Sequence, residues 1–250
     1  MQVLNDIWCI PDYDEVIKRK ILETNRVYTA GPNNGRRADP DNIDLYYEHK
    51  IRYRALKEIS EFGTFIDVGA NVGIWSKPLS KIFKIVHAFE PEKENLECLN
   101  KNIKGLDNIK VHNNALSDRN GDGYLYTGNK KNCGNNAITN AASMKKKWFT
   151  SEDLVPVQTL DSYKFGFGDS KPRRVSLIKI DTQGHELQIL QGAIETLKKN
   201  KPVVVFEMNI YKDYCCDLLE SLGAKRMTLI NKCYMLYAWE QNENTICNLV

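Results

Sequence analysis

The most informative part of the sequence is Thr64-Phe65-Ile66-Asp67-Val68-Gly69-Ala70-Asn71-Val72-Gly73. A short apolar run ends in Asp67 and then breaks into a turn of small residues. The residues from Ile74 to about Phe83 then have a helical pattern. Glycine in such a turn lets the backbone approach a ligand closely because it has no Cβ. This strand, turn and helix predict the opening unit of a nucleotide-binding α/β domain.

The composition is that of one large globular domain, with or without a modest extension. The chain has 250 residues, of which 42% are apolar and 27% are charged. The formal charge of +3 is too small to predict a polyanionic partner, so nucleic acid is not expected. The seven cysteines contain no C-x-x-C pair and the four histidines are dispersed, so we expect neither a disulfide framework nor a built-in metal site.

The N-terminal stretch predicts no targeting segment. It carries several acidic residues and has no long apolar core, unlike a signal peptide. No apolar run approaches the length of a membrane span. We therefore expect a cytoplasmic protein that does not bind membranes, and the oligomeric state stays open.

Strands and helices alternate from residue 64 onward. The predicted parallel strands are 64–70, 85–89, 109–116, 175–180 and 202–206, and a closing pair lies near 226–230 and 233–239. One predicted helix begins at Pro91, a second runs over about 185–199, and a third includes Leu218 and Leu219. The predicted fold class is α/β, a doubly wound, mostly parallel seven-stranded Rossmann-like sheet. Its C-terminal antiparallel hairpin is typical of methyltransferases.

Two segments lie outside this alternation. We predict that residues 1–62 form an N-terminal extension, whose amphipathic helix at about 42–62 packs on the main domain. Ile51, Ala55 and Ile59 belong to its apolar stripe. Residues 63–250 form the main domain, with an insertion at about 117–174. The insertion is expected to contain a hairpin arm at 124–126, an exposed Asn-rich loop at 130–147 and a short strand at 155–160.

The glycine turn does not match the dinucleotide fingerprint G-x-G-x-x-G, because Asn71 stands where its second glycine should be. Its wider spacing matches the turn that holds the methionine and ribose part of S-adenosylmethionine (SAM). Backbone N–H groups at Gly69, Ala70, Asn71 and Gly73 can meet the ligand carboxylate, and Asp67 can accept from its ammonium. The alternative is a tight strand–helix turn that holds no ligand.

Acidic and amide residues at the next strand ends extend this interpretation. Glu90 ends the second strand roughly 20 positions after Gly69, where an acid can accept from both ribose hydroxyls in a doubly wound sheet. We interpret Glu90 as a ribose ligand rather than a solvated strand-end acid. Asn114 and Ala115 are expected to contact the adenine edge, and Asp118 competes for the same role.

A third group of residues is typical of a catalytic site rather than of a donor-binding site. It is Ile178-Lys179-Ile180-Asp181-Thr182-Gln183-Gly184-His185-Glu186. Asp181 ends strand four, His185 opens the next helix, and Glu207 ends strand five. An alcohol is a poor nucleophile while protonated, and histidine is the usual base near neutral pH. We predict that Asp181 and His185 prepare a hydroxyl nucleophile and that Glu207 orients it. The alternatives are that His185 caps or packs its helix and that Glu207 is solvated.

Taken in order, these motifs resemble the FkbM family of SAM-dependent methyltransferases. The resemblance covers roughly 62–209. Besides the turn and the strand-four segment, it rests on Phe89-Glu90-Pro91, Asn114-Ala115-Leu116-Ser117-Asp118, Val157-Gln158-Thr159-Leu160-Asp161 and Val205-Phe206-Glu207. The family pattern after strand four is usually Ile-Asp-Val-Glu-Gly. This chain departs from it at Thr182 and Gln183, and so lacks an acid at Gln183.

The resemblance implies a seven-stranded Rossmann-like fold and SAM as methyl donor, with S-adenosylhomocysteine as product. It also implies O-methylation, usually of a hydroxyl on a sugar, glycan or natural product, without fixing the acceptor. An RNA 2′-O-methyltransferase is a second hypothesis, suggested by Arg36-Arg37 and Lys145–Lys147 but disfavoured by Glu207, where those enzymes usually rely on lysine. A SAM- or nucleotide-binding module without catalysis is a third. No metal is expected, although Asp181 is also a candidate metal ligand.

Overall fold

The computed structural model describes residues 1–4, 8–12, 14–19, 48–127, 137–139, 151–165, 173–230 and 233–239. Some predicted features lie outside these described residues. They are the first part of the helix at 42–62, most of the loop at 130–147, and the basic clusters Arg36-Arg37 and Lys145–Lys147.

Strands and helices alternate through much of the described chain. In chain order, the strands are β1 (Gln2–Leu4), β2 (Trp8–Ile10), β3 (Thr64–Val68), β4 (Ile85–Phe89), β5 (Ile109–His112), β6 (Ala115–Leu116), β7 (Gly121–Thr127), β8 (Ala137–Thr139), β9 (Ser151–Gln158), β10 (Val175–Ile180), β11 (Val203–Glu207), β12 (Lys225–Ile230) and β13 (Tyr234–Ala238). The helices are α1 (described over 15–19), α2 (His49–Lys57), α3 (Ser76–Leu79), α4 (Lys93–Asn102), α5 (Glu186–Gln191), α6 (Ile194–Asn200) and α7 (Lys212–Ser221). A 3-10 turn covers Leu160–Ser162.

Seven strands form the main sheet, in the order β12-β13-β11-β10-β3-β4-β5. The pairs from β5 through β11 are parallel, whereas β13 runs antiparallel to both β11 and β12. This arrangement confirms the predicted mostly parallel seven-stranded sheet with a C-terminal antiparallel hairpin.

The central strands are buried on both faces, which explains their nearly continuous apolar sequences. Every residue of β3, β4 and β10 is buried. Alternate side chains of these strands belong to two separate hydrophobic cores, one on each face of the sheet. Phe65 belongs to the core that contains Trp75 and Leu99, whereas Ile66 belongs to the core that contains Leu190. Both faces of the sheet are therefore covered, as a doubly wound fold requires.

The helix after β4 begins later than predicted. The backbone N–H of Asn95 donates to the Glu92 carboxylate over 2.7 Å, so Glu92 caps the helix and Lys93 is its first residue. The prediction that Pro91 starts this helix is therefore wrong. Leu99 lies on the buried face, as expected.

The predicted strand at 109–116 is two strands in different sheets. β5 ends at His112, the chain bends over residues 113–114, and Ala115 then pairs in parallel with Val157 of β9. The prediction of one continuous strand is wrong because the second half leaves the main sheet for the second one.

The predicted helix at about 185–199 is also divided, between α5 and α6. A Cβ at Gly192 would lie 2.0 Å from the backbone oxygen of Ser117, so only glycine allows this close approach. After the break, the Asp161 carboxylate accepts from the N–H groups of Glu195 and Thr196, at 2.9 and 2.8 Å, and caps α6. The prediction of a single helix is wrong because a neighbouring loop packs against its middle.

A four-stranded sheet, in the order β6-β9-β7-β8, stands beside the main sheet. The predicted hairpin arm at 124–126 lies within β7, which is antiparallel to β8 and β9. The boundaries of the extension, the main domain and the insertion stay predictions. None of the helices in the described ranges is both long and apolar enough to cross a membrane.

The N-terminal hairpin of β1 and β2 docks on α4 through one amide side chain. Asn102 accepts from the Cys9 N–H at 2.6 Å and donates to the Cys9 and Val72 carbonyls, both at 2.8 Å. Asn102 is buried, with 6% of its surface exposed. This side chain therefore joins the hairpin, the helix and the glycine turn.

We expect Asn102→Ala to lower the free energy of unfolding by about 2–3 kcal/mol, because it leaves buried backbone groups without partners. Urea denaturation would measure the change. Asn100→Ala, at an exposed position of the same helix, is the matched control and should change the value by less than about 0.5 kcal/mol. Equal effects of the two substitutions would show that the Asn102 hydrogen bonds do not stabilise the fold.

Candidate active site

A cavity of about 250 Å³ opens at the edge of the main sheet where the parallel strands end. Most predicted site residues line it: Gly69, Ala70, Asn71, Glu90, Asn114, Ala115, Asp181, His185 and Glu207. Asp67 and Gly73 are not among the described lining residues. Because carboxyl ends of parallel strands are the usual ligand-binding edge of such sheets, this cavity is the candidate active site.

The glycine turn is held tightly against its two neighbouring strands. Gly69 has a φ of +73°, and a Cβ there would lie 2.0 Å from the backbone oxygen of Asp181. The N–H groups of Gly69 and Ala70 both donate to the Phe89 oxygen at 3.0 Å. Only glycine fits at position 69, since both the backbone conformation and the nearby carbonyl exclude a side chain.

The backbone N–H groups of the turn that we expected to meet a ligand carboxylate are all used within the protein. Besides the two that donate to Phe89, the Asn71 N–H donates to Glu90 at 2.8 Å and the Gly73 N–H to the Ala70 oxygen at 2.9 Å. The turn therefore offers a ligand a close-packed surface rather than N–H donors.

Asp67 lies behind the turn, fully buried and paired within the protein. Its Oδ2 accepts from the Ser76 hydroxyl at 2.7 Å, and its Oδ1 is 3.3 Å from Lys179 Nζ. The same ammonium group donates to the Gly69 oxygen at 2.7 Å. In the structure Asp67 thus fixes Lys179 and, through it, the turn, instead of facing the cavity as predicted.

Lys179 is a site residue that the sequence reasoning missed, although it lies within the strand-four motif. Burial alone would lower its pKa, but the negative charges of Asp67, Asp181 and Glu48 raise the pKa above its ordinary value. Lys179 is therefore a buried cation at neutral pH. The sequence signal was a lysine within the mostly apolar strand Val175–Ile180.

Glu90 is buried at the end of β4 with both oxygens oriented by the backbone. Oε2 accepts from the Asn71 N–H at 2.8 Å and Oε1 from the Glu92 N–H at 2.9 Å. Burial raises the pKa of Glu90 to about 7, against the lowering effect of these two hydrogen bonds. The Asn95 side chain also donates to this carboxylate. A carboxylate has about four acceptor sites, so Glu90 can still accept from a ribose hydroxyl, as predicted.

Asn114 and Ala115 form part of the cavity wall beyond Glu90. The Asn114 amide donates to the Ala115 oxygen at 2.9 Å and accepts from the Tyr163 hydroxyl at 3.0 Å. Asp118, the competing candidate, instead accepts from Ser117 and Arg119 and does not line the cavity within the described chain. Of the residues predicted to contact the adenine, Asn114 and Ala115 therefore border the cavity.

His185 lies in the cavity wall, where it contacts Ser117. Its Nε2 is 2.9 Å from the Ser117 hydroxyl, which donates onward to Asp118 at 3.0 Å. Burial lowers the pKa of His185 to about 4, and the raising effect of Asp118 does not offset this. His185 is therefore a neutral, hydrogen-bonded side chain at neutral pH, which matches its alternative role of packing the helix start.

The loop after β10 is shaped by the fully buried Glu186. Its carboxylate accepts from the Thr182 N–H and hydroxyl, at 3.0 and 3.1 Å, and from the Gly184 N–H at 3.1 Å. Asn209 also donates to it. Gln183 and Gly184 both have positive φ, +56° and +112°. The hydrogen bonds to Glu186 therefore hold this loop in an unusual backbone conformation.

Gln183 connects the two predicted acids of the acceptor region. Its Nε2 donates to Asp181 Oδ1 at 3.1 Å and to Glu207 Oε2 at 2.6 Å. Burial raises the pKa of Glu207, and the adjacent negative charge of Asp181 raises it further. An acid at position 183, as in the family pattern, would face two carboxylates, whereas the amide supplies hydrogen bonds to both.

Tyr234 and Glu48 complete this acidic region, and neither was predicted. Tyr234 pairs with Glu207 across β13 and β11. Its hydroxyl lies 2.8 Å from Asp181 Oδ2 and 2.9 Å from Glu48 Oε1. The position of Tyr234 follows from topology, because an antiparallel strand beside β11 must begin where β11 ends, but nothing in the sequence predicted the contact with Glu48.

Among the described residues, no three His, Cys, Asp or Glu side chains converge in an arrangement that could hold a metal ion. The described part of the candidate site contains hydrogen-bonded carboxylates, the buried Lys179 and the neutral His185.

The strand order and the antiparallel strand β13 beside β11 define a Rossmann-like fold of the methyltransferase type. A methyltransferase FkbM domain matches residues 67–228, more than half of the chain. The chain belongs to the FkbM methyltransferase family, which confirms the resemblance noted in its sequence. A comparison with curated proteins finds no match.

Three of the solved structures that are similar to this chain are methyltransferases. Methyltransferase FkbM from Methylobacillus flagellatus KT is 19% identical with a TM-score of 0.46, over 72% of this chain and 44% of that chain. Precorrin-6y C5,15-methyltransferase from Geobacter metallireducens GS-15 is 15% identical, with a TM-score of 0.46, over 77% and 89%. An rRNA methylase from Streptococcus thermophilus is 12% identical, with a TM-score of 0.47, over 77% and 96%. This chain thus spans less than half the length of the Methylobacillus protein.

Proposed function

We propose that this protein is a SAM-dependent O-methyltransferase that acts on a hydroxyl of a sugar, glycan or related natural product. The observation that carries the proposal is one cavity lined by both Glu90 and the pair Asp181 and Glu207. These acids end β4, β10 and β11, with β3 and its turn between β4 and β10. Neighbouring strands are about 4.8 Å apart, so the site extends over roughly 14 Å.

The residues on the β3–β4 side fit the methyl donor. Glu90 would accept from the ribose hydroxyls, the tight turn at Gly69 would leave room for the donor, and Asn114 and Ala115 would border the adenine. Bound there, SAM supplies an electrophilic methyl group on a positively charged sulfur. The ionised acids that line the cavity would favour binding of this cation by Coulomb attraction.

The residues on the β10–β11 side fit a hydroxylated acceptor. The Asp181 and Glu207 carboxylates accept hydrogen bonds from hydroxyl groups, and Asp181 can also take the proton that leaves during methyl transfer. Holding the acceptor oxygen within about 3–3.5 Å of the methyl group would supply much of the rate acceleration. Several hydrogen-bonding groups in one cavity suit an acceptor with several hydroxyls.

Incubation with methyl-labelled SAM tests this proposal directly. The acceptors would be neutral methyl glycosides, simple phenols and a short RNA, each with and without a chelator. Label on a glycoside or phenol oxygen supports the proposal, whereas label on RNA with salt-dependent binding supports the 2′-O-methyltransferase hypothesis. SAM binding without any methylated acceptor supports a binding module. Loss of activity on chelation would identify a metal requirement.

The donor site has a pH dependence that can be measured without an acceptor. We expect 5′-methylthioadenosine, which keeps the ribose but lacks the amino acid, to bind more tightly as the pH rises through about 7. Ribose hydroxyls favour the ionised form of Glu90, whose pKa is raised to about 7, so protonation below that pH opposes binding. Calorimetric titration between pH 5.5 and 8.5 would measure the affinity.

Glu90→Gln is the control for this pH dependence. The amide keeps the size of the side chain but does not titrate, so the affinity should be weaker and nearly independent of pH. An unchanged pH profile in Glu90→Gln would exclude Glu90 as the ribose ligand.

A further inference from the structure

The hydroxyl of Tyr234 lies between two carboxylates, 2.8 Å from Asp181 Oδ2 and 2.9 Å from Glu48 Oε1. A phenol has one hydrogen and donates it to one partner at a time. Both carboxylates are within hydrogen-bond distance of this single donor. The hydrogen can therefore point to Asp181 or to Glu48, and each orientation leaves the other acid without it.

The charges around Tyr234 keep its hydroxyl protonated. Its ring is buried, and Asp181, Glu48 and Glu207 all face it, while the Lys179 ammonium is 4.0 Å from Asp181 Oδ2. Burial raises the pKa of Tyr234, and the three carboxylates raise it further. Tyr234 is thus a neutral donor throughout the physiological pH range.

Glu48 is held so that one oxygen faces Tyr234. Its other oxygen accepts from the Trp75 indole N–H at 2.7 Å, and Glu48 itself lines the cavity just before α2. Glu48 and Tyr234 both lie outside residues 67–228, the part of the chain that matches the family domain. The contact between Glu48 and Tyr234 therefore joins a segment before the matched region to a segment after it.

We propose that Glu48 and Tyr234 are positioning residues that control how readily Asp181 takes the acceptor's proton. The inference rests on the proposed function. While the Tyr234 hydrogen points to Asp181, it stabilises the ionised carboxylate and makes Asp181 a weaker base. When the hydrogen turns to Glu48, Asp181 Oδ2 is free to accept from the hydroxyl to be methylated.

The proton balance of the reaction is then complete. The acceptor oxygen forms a bond to the methyl carbon while the carbon–sulfur bond breaks. The electron pair of the broken bond stays on sulfur. The hydroxyl proton passes to Asp181. Tyr234 can accept that proton from Asp181 while giving its own to Glu48, so the proton leaves the acceptor without creating a charged tyrosine.

Two substitutions are expected to shift the titration of Asp181 in opposite directions. Tyr234→Phe removes a donor to the ionised carboxylate, so the Asp181 titration should move to higher pH. Glu48→Gln removes a neighbouring negative charge, and its amide NH₂ can donate to Tyr234 while Trp75 holds its oxygen. The Tyr234 hydroxyl then keeps donating to Asp181, and the Asp181 titration should move to lower pH.

Carbon NMR of protein labelled at the aspartate side-chain carboxyls would measure this without any acceptor. The Asp181 signal is assigned by its loss in Asp181→Asn. Tyr237→Phe is the matched control, because Tyr237 lies in the same strand and its hydroxyl donates to Glu220 at 2.8 Å. This control should leave the Asp181 titration in place. Shifts in the same direction for Tyr234→Phe and Glu48→Gln, or no shift in either, would overturn the proposal.

Kinetics provide the second readout once an acceptor is methylated. The acid limb of the kcat–pH profile should move up in Tyr234→Phe and down in Glu48→Gln, with kcat falling by about tenfold in Glu48→Gln because the base is weaker. KM for SAM should change little. An unmoved acid limb in both variants would overturn the kinetic role. If no acceptor is methylated, the proposed function fails, whereas the NMR titration still decides whether the proton is shared.

Discussion

Lys179→Met is expected to lower the free energy of unfolding by about 3–5 kcal/mol. The substitution leaves Asp67 as an uncompensated charge at a fully buried position, 0% exposed. It also removes the donor to the Gly69 oxygen, so the glycine turn loses one of its supports. Because the pKa of Lys179 is raised, its contribution persists below the ordinary lysine pKa and is lost only as the pH rises through the folded-state value.

Urea denaturation of three variants would test this expectation. Lys84→Met is the matched control, since Lys84 forms an exposed ion pair with Glu61 at 4.0 Å and its loss should have an effect of less than about 0.5 kcal/mol. The double variant Asp67→Asn with Lys179→Met should recover much of the stability, because no buried charge is then left alone. A double variant less stable than Lys179→Met would contradict the electrostatic explanation.

Asp181→Asn is expected to lower kcat by about 10²- to 10⁴-fold, with the Kd for SAM changed by less than about threefold. Asparagine keeps an oxygen that can accept from Gln183 or Tyr234, but it cannot take up a proton. Glu207→Gln should have a smaller effect on kcat, because burial and Asp181 raise the pKa of Glu207 and keep part of it protonated near neutral pH. Steady-state kinetics with the acceptor found by labelling would measure kcat. Calorimetric titration with SAM would measure the Kd, so that the effect on the chemical step is separated from the effect on donor binding.

His185→Gln provides the comparison for the assignment of the base. Glutamine can keep a hydrogen bond to the Ser117 hydroxyl, so a side chain that only packs the wall should tolerate this change with less than about tenfold loss of kcat. A complete loss of kcat in His185→Gln, with nearly full activity in Asp181→Asn, would assign the base to His185 instead.

The main sheet could be predicted from the sequence because its central strands carry their own signal. Val175–Ile180 is apolar except for Ser176 and Lys179, and the apolar strands in this chain end in acids or small residues that mark the sheet edge. The breaks in other elements carry no such signal. The gap between α5 and α6 depends on the contact of Gly192 with Ser117, which is distant in sequence and becomes visible only in the folded chain.

The acids of the candidate site could be predicted from the sequence because they follow from the same strand pattern. Glu90, Asp181 and Glu207 end parallel strands, and parallel strands place their carboxyl ends along one edge. The roles of Asp67 and Lys179 were not predictable, because an ion pair across two strands depends on their register. Glu48 and Tyr234 were missed because their meeting depends on how the N-terminal segment and the last hairpin pack on that edge.

Ser117 contacts both ends of α5, and this has a consequence for building chimeric enzymes. Its hydroxyl meets His185 at one end of the helix, and its backbone oxygen meets Gly192 at the other. A graft that exchanges the second sheet for that of a relative, in order to change the acceptor, would separate Ser117 from both partners if it were cut after Leu116. Such a graft should keep positions 117, 185 and 192 from a single parent, so that the junction retains its native fit.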